Sequence, residues 1–304
     1  MKRIISIVLS VLMLLMALSA CGGQENVNSP EAGGLETPLS DGKTLKLLAI
    51  GNSFSNNMTQ YLYDIAMAQG ATEVIIGRLW IAGCSLQTHV ETIQSGAADY
   101  GYDKNDSGEW VYREGATFLD GLLDEDWDII TMQQSSSKSG DAQTYDGYLD
   151  QLVSYVNEHK TNPDAKLVWQ MTWAYEGSCE KEAFAKYDSD QMTMYTKIVE
   201  AVQEKVLPTG AFAAIIPAGT AVQNARTSYF GDRLTTDTLH MNDLGMVIGG
   251  YTWYAVFTGK PLEAMNLEQA GALTFSESNK EVILEAVNAA VKDPFTVTQS
   301  AYTE

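Results

Sequence analysis

Basic residues, histidine and cysteine are all scarce in this chain. Nineteen Lys and Arg stand against 39 Asp and Glu in 304 residues, a formal charge of −20. So acidic a protein is repelled by nucleic acid and by anionic lipid, which argues against a nucleic-acid or polyanion binder and for a neutral partner such as a glycan or small ester. The same acidity also serves solubility. The three histidines, His89, His159 and His240, are too few for a histidine-rich metal centre, and no CxxC, HExxH or EF-hand spacing occurs. Neither a metal nor a cofactor is expected, and the acidic run Asp124-Glu125-Asp126 reads as a solvated loop. There is no internal repeat and no second linker. About 260 residues beyond the leader suffice for one large α/β domain.

The leader itself is distinctive. Lys2 and Arg3 precede an apolar stretch, Ile4 to Leu18, too short for a comfortable membrane span, and Leu18-Ser19-Ala20-Cys21 closes it with small residues. That quartet resembles the lipobox of bacterial lipoproteins, which implies cleavage before Cys21 and acylation of its thiol. Residues 1–20 are thus read as a signal peptide, 21–43 as lipidated Cys21 and a flexible tether, and 44–304 as the folded domain. The expected location is the extracytoplasmic face of the cell membrane, through a lipid anchor. Cys84 and Cys179 then remain, and free buried thiols are the default for them.

Apolar, β-prone runs recur at Leu45–Ile50, Glu73–Ile81, Trp127–Met132, Lys166–Thr172 and Ala211–Pro217. Helical patterns lie between and after them, at Thr59–Gln69, Phe118–Leu123, Tyr145–Asn157, Gln191–Glu204, Asp243–Phe257 and Lys280–Val291. Alternation at this spacing predicts a parallel sheet covered on both faces, a three-layer α/β/α sandwich of about five strands. The segments 95–117 and 174–190 are irregular and are expected to build the walls of a site rather than core.

Two stretches carry chemistry. In "LAIGNSFSNNMTQYL" Ser53 lies on a strand-to-helix turn, where open α/β sheets present ligand-binding groups. Helix capping is the competing explanation for a serine there. In "TTDTLHMNDLGMVIGGYTWYAVFTG" Asp237 and His240 are three residues apart, and Asn242 or Asp243 caps a helix whose Gly245, Gly249 and Gly250 permit close packing. A serine nucleophile needs a base within hydrogen-bond reach and a third group to orient that base. Ser53, His240 and Asp237 supply those three types.

With these blocks in order, the sequence resembles the SGNH (GDSL-like) hydrolases, and among them a bacterial lipoprotein branch, through GNSFS, GCSLQTH, DWDIITMQQSS, TWAY and the Asp237–His240 block. The resemblance spans residues 44 to 260. It implies a flavodoxin-like sheet, Ser53 as nucleophile, His240 as base and Asp237 as its orienting carboxylate. It also implies an oxyanion hole from the N–H groups of Ser53 and Gly83 plus a side-chain amide. The family's Asn in the third block is absent here, and Gln134, or else Gln133, is expected to replace it. Asn52 stands where the family has Asp. Asn52, Trp173 and His89 are expected to line the substrate, Trp173 because it follows a strand's carboxyl end. Trp80, Trp110, Trp127 and Trp169 read as core.

The function so implied is removal of acetyl or another short acyl group from a carbohydrate or small ester, without cofactor. A glycan-binding lipoprotein and an acyltransferase use the same residues equally well. A histidine base must be neutral to act, so the rate should rise with pH to a plateau, with an apparent midpoint of about 6 to 7. A rate constant between pH 5 and 8 would contradict that role for His240.

Overall fold

The computed structural model describes residues 37–304. The signal segment, Cys21 and most of the expected tether lie outside the described residues. Residues 37–43, assigned to the tether, are docked on the body: Leu39 packs against the core, and Ser40 donates its N–H to the Phe257 carbonyl at 2.9 Å.

From there the chain runs β1 (Thr44–Gly51), α1 (Ser53–Thr59), α2 (Leu62–Ala68), β2 (Glu73–Trp80), α3 (Leu86–Ser95), β3 (Tyr100–Asn105), β4 (Val111–Ala116), α4 (Phe118–Leu122), β5 (Ile129–Met132), α5 (Tyr148–His159), β6 (Lys166–Gln170), α6 (Glu182–Ala185), α7 (Gln191–Ala201), β7 (Ala214–Ile216), α8 (Ala218–Arg226), α9 (Asp243–Thr258), β8 (Gln269–Ala270), β9 (Leu273–Thr274) and α10 (Glu277–Lys292). The first seven strands form one sheet in the order β4-β3-β2-β1-β5-β6-β7. Strands β2, β1, β5, β6 and β7 are parallel, while β3 and β4 add an antiparallel hairpin at the β2 edge. The parallel strands follow the 2-1-3-4-5 order of a doubly wound, flavodoxin-like fold, whose chain direction reverses beside β1.

Burial on both faces explains why the parallel strands are continuously apolar: Leu47 to Ile50 of β1 and all four residues of β5 are buried. Helices α1, α2, α8, α9 and α10 pack among themselves on one face, and α3, α4 and α5 cover the other. Thirteen of the 16 residues of α9 are buried. At Gly250 a Cβ would lie 2.7 Å from Ile65 Cδ1, so the glycine lets α9 press against α2.

Three features differ from the pattern-based expectation. Residues 100–116 form the β3–β4 hairpin, which buries Tyr100 and Tyr102, and so extend the sheet to seven strands. The segment had read as irregular because β4 exposes every residue from Val111 to Gly115, leaving no apolar alternation. Residues 86–95 and 218–226 are helical as well; α8 is buried on all sides, including Thr220, Gln223, Asn224 and Arg226, so its polar positions do not mark a solvent-facing side. The expected helix at 59–69 corresponds to α2, Leu62–Ala68, and is preceded by a separate short helix, α1, that ends at Thr59.

Helix α8 approaches the segment that follows β6 so closely that a Cβ on Gly219 would lie 2.1 Å from the Thr172 carbonyl oxygen. Backbone cannot yield there as a side chain can. Gly219→Ala should therefore lose about 3 kcal/mol or more of stability, read as a lower urea midpoint at unchanged m-value.

Candidate active site

Gly51 ends β1 beneath Gln133 and Ser55, where a Cβ would meet the Ser55 hydroxyl at 2.8 Å. The chain then turns directly into α1. Asn52, not Ser53, is the N-cap: its Oδ1 accepts the Phe54 N–H at 2.9 Å. The capping explanation of Ser53 is thereby removed, and the serine occupies the first helical position with its hydroxyl free. Asn52 Oδ1 also accepts the Gln133 amide at 2.8 Å, and its Nδ2 donates to the Cys84 carbonyl at 3.0 Å. One side chain thus ties together the ends of β1 and β5 and the loop after β2.

Ser53 Oγ lies 2.9 Å from His240 Nε2, and His240 Nδ1 lies 2.7 Å from Asp237 Oδ2. The two histidine-loop residues come together through a tight turn. Asp237 Oδ1 accepts the N–H groups of Leu239 at 3.1 Å and His240 at 2.7 Å, while Thr236 N–H reaches the His240 carbonyl at 2.8 Å. Thr238, at φ +70°, takes the left-handed conformation that closes this turn. Burial pushes the Asp237 carboxyl upward, but the His240 ring and the two loop N–H groups outweigh it and hold the carboxyl below its ordinary range. A lowered folded-state pKa means the stabilising contribution is complete above the unfolded value of about 3.9 and is lost only as pH falls through the folded one. Asp237 is therefore ionised wherever a histidine base is neutral.

Several residues without a sequence motif hold this loop against the sheet. Asn57 Oδ1 accepts the Met241 N–H at 3.0 Å, fixing the loop to α1. Trp173 donates its indole N–H to the Leu239 carbonyl at 2.8 Å and stacks on Phe54 at 3.9 Å, and the Phe54 ring meets His240 edge-on. Glu176 N–H donates to the Thr238 carbonyl at 2.9 Å. Behind it, buried Arg226 donates to the Ala174 carbonyl at 2.9 Å and pairs with Asp232 at 2.9 Å, and Asp232 accepts the Gly177 N–H at 2.7 Å. Trp173 in TWAY is the one signal visible in the sequence; a polar residue inside the wholly buried α8 offers none.

Neither Ser53 nor Gly83 donates its backbone N–H to an acceptor among the described residues. Gly83, at φ +64°, has open space where a side chain would stand. Gln134 does not fit the donor role expected for it. Its Nε2 donates to Thr144 Oγ1 at 3.1 Å and to the Thr144 carbonyl at 3.2 Å, and its Oε1 accepts the Leu86 and Ser135 N–H groups. Gln133 is the glutamine that faces Asn52.

Three expected substrate contacts are corrected. Asn52 is 1% exposed with its polar atoms engaged internally, and Trp173 is 0% exposed beneath the histidine loop. His89 is also 0% exposed, hydrogen-bonds with the Tyr100 hydroxyl at 2.9 Å and packs on its ring. Burial pushes its pKa down to about 3, so it is a neutral core residue. Cys84 and Cys179 are free and buried. His240 and Asp237, by contrast, keep side-chain exposures of 38% and 55%, so the arrangement is open to large molecules. Among the described residues, no cluster of three or more His, Cys, Asp or Glu is placed to hold a metal ion, and no helix is long and apolar enough to cross a membrane. A cavity of about 430 Å³, lined by Lys46, Glu73 and Asp128, lies at the amino ends of the strands, the wrong pole for this fold's chemistry.

The family described as a domain of unknown function, DUF4886, matches residues 46–279. The structure of a DUF4886 family protein from Bacteroides uniformis ATCC 8492 is 37% identical, with a TM-score of 0.79 over 84% of this chain and 98% of that one. More distant likenesses are a candidate SGNH hydrolase from Slackia heliotrinireducens, 21% identical at TM-score 0.49 over 70% of this chain and 98% of that one, and an acetylxylan esterase from Geobacillus stearothermophilus, 11% identical at 0.47 over 73% and 96%. No protein of curated function matches the sequence.

Removing the Asn52 side chain uncaps α1 and strands the Cys84 carbonyl and Gln133 amide. Asn52→Ala should lose about 2 to 4 kcal/mol in urea unfolding. Asn52→Asp, which keeps the cap but turns an oxygen toward the Cys84 carbonyl, should lose about 1 to 2 kcal/mol.

Proposed function

The chain belongs to the DUF4886 family, and from the contacts around Ser53 we propose that it is a serine esterase that removes acetyl or other short acyl groups from a carbohydrate. The observation that carries this reading is the continuous hydrogen-bonded line from Ser53 Oγ through both ring nitrogens of His240 to Asp237. Exposure of that line at a strand's carboxyl end, beside two unused backbone N–H groups, supports it further.

In the proposed reaction the Ser53 hydroxyl proton passes to His240 Nε2 as Oγ bonds to the ester carbonyl carbon. The carbonyl oxygen becomes an oxyanion, held by the N–H groups of Ser53 and Gly83. Each such donor is worth about two to three powers of ten in rate. The tetrahedral species collapses, the carbon–oxygen bond to the sugar breaks, and His240 returns the proton to the departing alkoxide. Water, deprotonated by His240, then attacks the acyl carbon; as the bond to Oγ breaks His240 returns that proton to Ser53 Oγ, and the free carboxylic acid leaves. Asp237 keeps Nδ1 protonated so that Nε2 faces the serine, and it stabilises the imidazolium of each step.

The carbohydrate half of the proposal rests on the acidic surface, which disfavours anionic substrates, and on the open site. We further propose that acylated Cys21 tethers the enzyme to the extracytoplasmic face of the membrane.

Because Asn52 supplies the cap, Ser53→Ala removes a hydroxyl without removing a helix-stabilising bond, and the variant should melt like the wild type. Its hydrolysis of p-nitrophenyl acetate should fall about 10⁴-fold or more, with a comparable loss in His240→Ala. Asp237→Asn should lose roughly 10²- to 10⁴-fold. Equal rates for wild type and Ser53→Ala would falsify the nucleophile assignment. A folded wild type that binds acetylated oligosaccharide without turnover would make the protein a glycan-binding module.

A further inference from the structure

We propose that the outer sheet face built by Trp80, Asp103 and Tyr112 is a binding subsite for the neutral pyranose chain that carries the scissile acyl group; as a substrate subsite it rests on the esterase reading of Ser53.

Strand register places this face beside the reactive turn. Trp80 ends β2 directly opposite Gly51, two residues before Ser53, and precedes Gly83 by three residues. Across the hairpin Trp80 pairs with Gly101, Arg78 with Asp103, and Asp103 with Tyr112. Residues directly opposite in a ladder project to the same face. Trp80, Asp103 and Tyr112 therefore stand together on the α1 side, outward from Ser53. Arg78 anchors the shelf to that helix by donating to Thr59 Oγ1 at 2.8 Å, and its guanidinium lies 3.3 Å from the centroid of the Trp110 ring.

The indole lies flat on β3. A Cβ at Gly101 would come within 3.0 Å of its ring, so a glycine is needed there for close approach rather than for backbone conformation. The indole N–H donates to Asp103 Oδ2 at 2.7 Å, while Oδ1 has no partner among the described residues. Tyr112 is 54% exposed, and its ring stands 6.4 Å from that of Trp80, tilted by 36°. A pyranose presents an apolar C–H face and a rim of hydroxyls. Rigid, amphipathic aromatic rings suit the first, and an open carboxylate oxygen accepts from the second.

A second copy of this chain is a poorer occupant of the hairpin. Edge pairing wants a flat, regular strand, whereas β4 carries Gly115 at φ +74°, charged Arg113 and Glu114, and a register shift in its ladder with β3. The formal charge of −20 disfavours acidic polysaccharides.

The test uses the full chain and its Tyr112→Ala and Trp80→Phe variants, with partly acetylated β-1,4-linked xylo- and manno-oligosaccharides of two to six sugars. For wild type, KM should fall as the oligosaccharide lengthens. In Tyr112→Ala, a surface change, the ratio of kcat/KM on the hexamers to that on p-nitrophenyl acetate should drop about three- to tenfold, through KM. Trp80→Phe should lower the same ratio. Calorimetric titration of the hexamers into Ser53→Ala, with and without Tyr112→Ala, reads the subsite independently of turnover. Binding weakened by Tyr112→Ala supports the subsite even if Ser53→Ala proves as active as wild type, which would overturn only the esterase reading. A KM independent of chain length for every oligosaccharide, or a ratio and an affinity both untouched by Tyr112→Ala, would overturn the subsite.

Discussion

The start of α1, the end of β5 and the loop after β2 are all referred to the buried amide of Asn52. It accepts from Phe54 and Gln133 and donates to Cys84, so the start of α1, the end of β5 and the loop of Gly83 share one side chain. An amide can do this and a carboxylate cannot, because only the amide offers both a donor and an acceptor. Asn52 and Gln133, the two positions at which the sequence differs from the SGNH motifs it resembles, are bonded to each other. They make sense as a pair: once residue 52 donates to Cys84, its oxygen needs a second donor, and Gln133 is long enough to supply one. Buried hydrogen bonds of this kind are costly to break, because a stranded donor or acceptor there keeps no water to replace the lost partner.

A second set of constraints acts on the histidine loop from the opposite side. The loop has only five residues between its bridged ends, Thr235 and Met241, and contains a threonine in a left-handed conformation. Such a turn persists because its surroundings overdetermine it. Asn57 holds it from α1, Trp173 and Glu176 from the segment after β6, and Arg226 with Asp232 braces that segment in turn. The Ser53–His240 distance is thus set by α1 and the histidine loop, which Asn57 and the Phe54–Trp173 stack tie directly to each other.

Strongly periodic elements and short motifs were readable from sequence; residues whose role depends on what lies across the sheet were not. Parallel strands such as Ile129–Met132 announce themselves by continuous apolarity, and Ser53, Asp237 and His240 by residue type beside predictable turns. His89 misled because a histidine in an amphipathic stretch looks the same whether its imidazole meets solvent or the Tyr100 ring. Trp173 misled by one turn of geometry: it does follow a strand's carboxyl end, but its indole bonds beneath the histidine loop. Gln133 and Gln134 differ only in which face of the sheet each enters, and a shift of one residue in the strand end reverses them. Arg226 and the β3–β4 hairpin were invisible for opposite reasons, one polar inside the core and the other polar because it forms an edge.

The docking of residues 37–43 has a geometric consequence. The chain enters the fold at the amino ends of the strands, where Ser40 binds the last turn of α9, and Ser53 lies beyond the far end of the eight-residue β1. At 3.3 Å per residue the two points are about 26 Å apart, at opposite poles of the sheet. Whatever holds the body by residues 37–43 therefore leaves the Ser53 end facing away from the point of attachment.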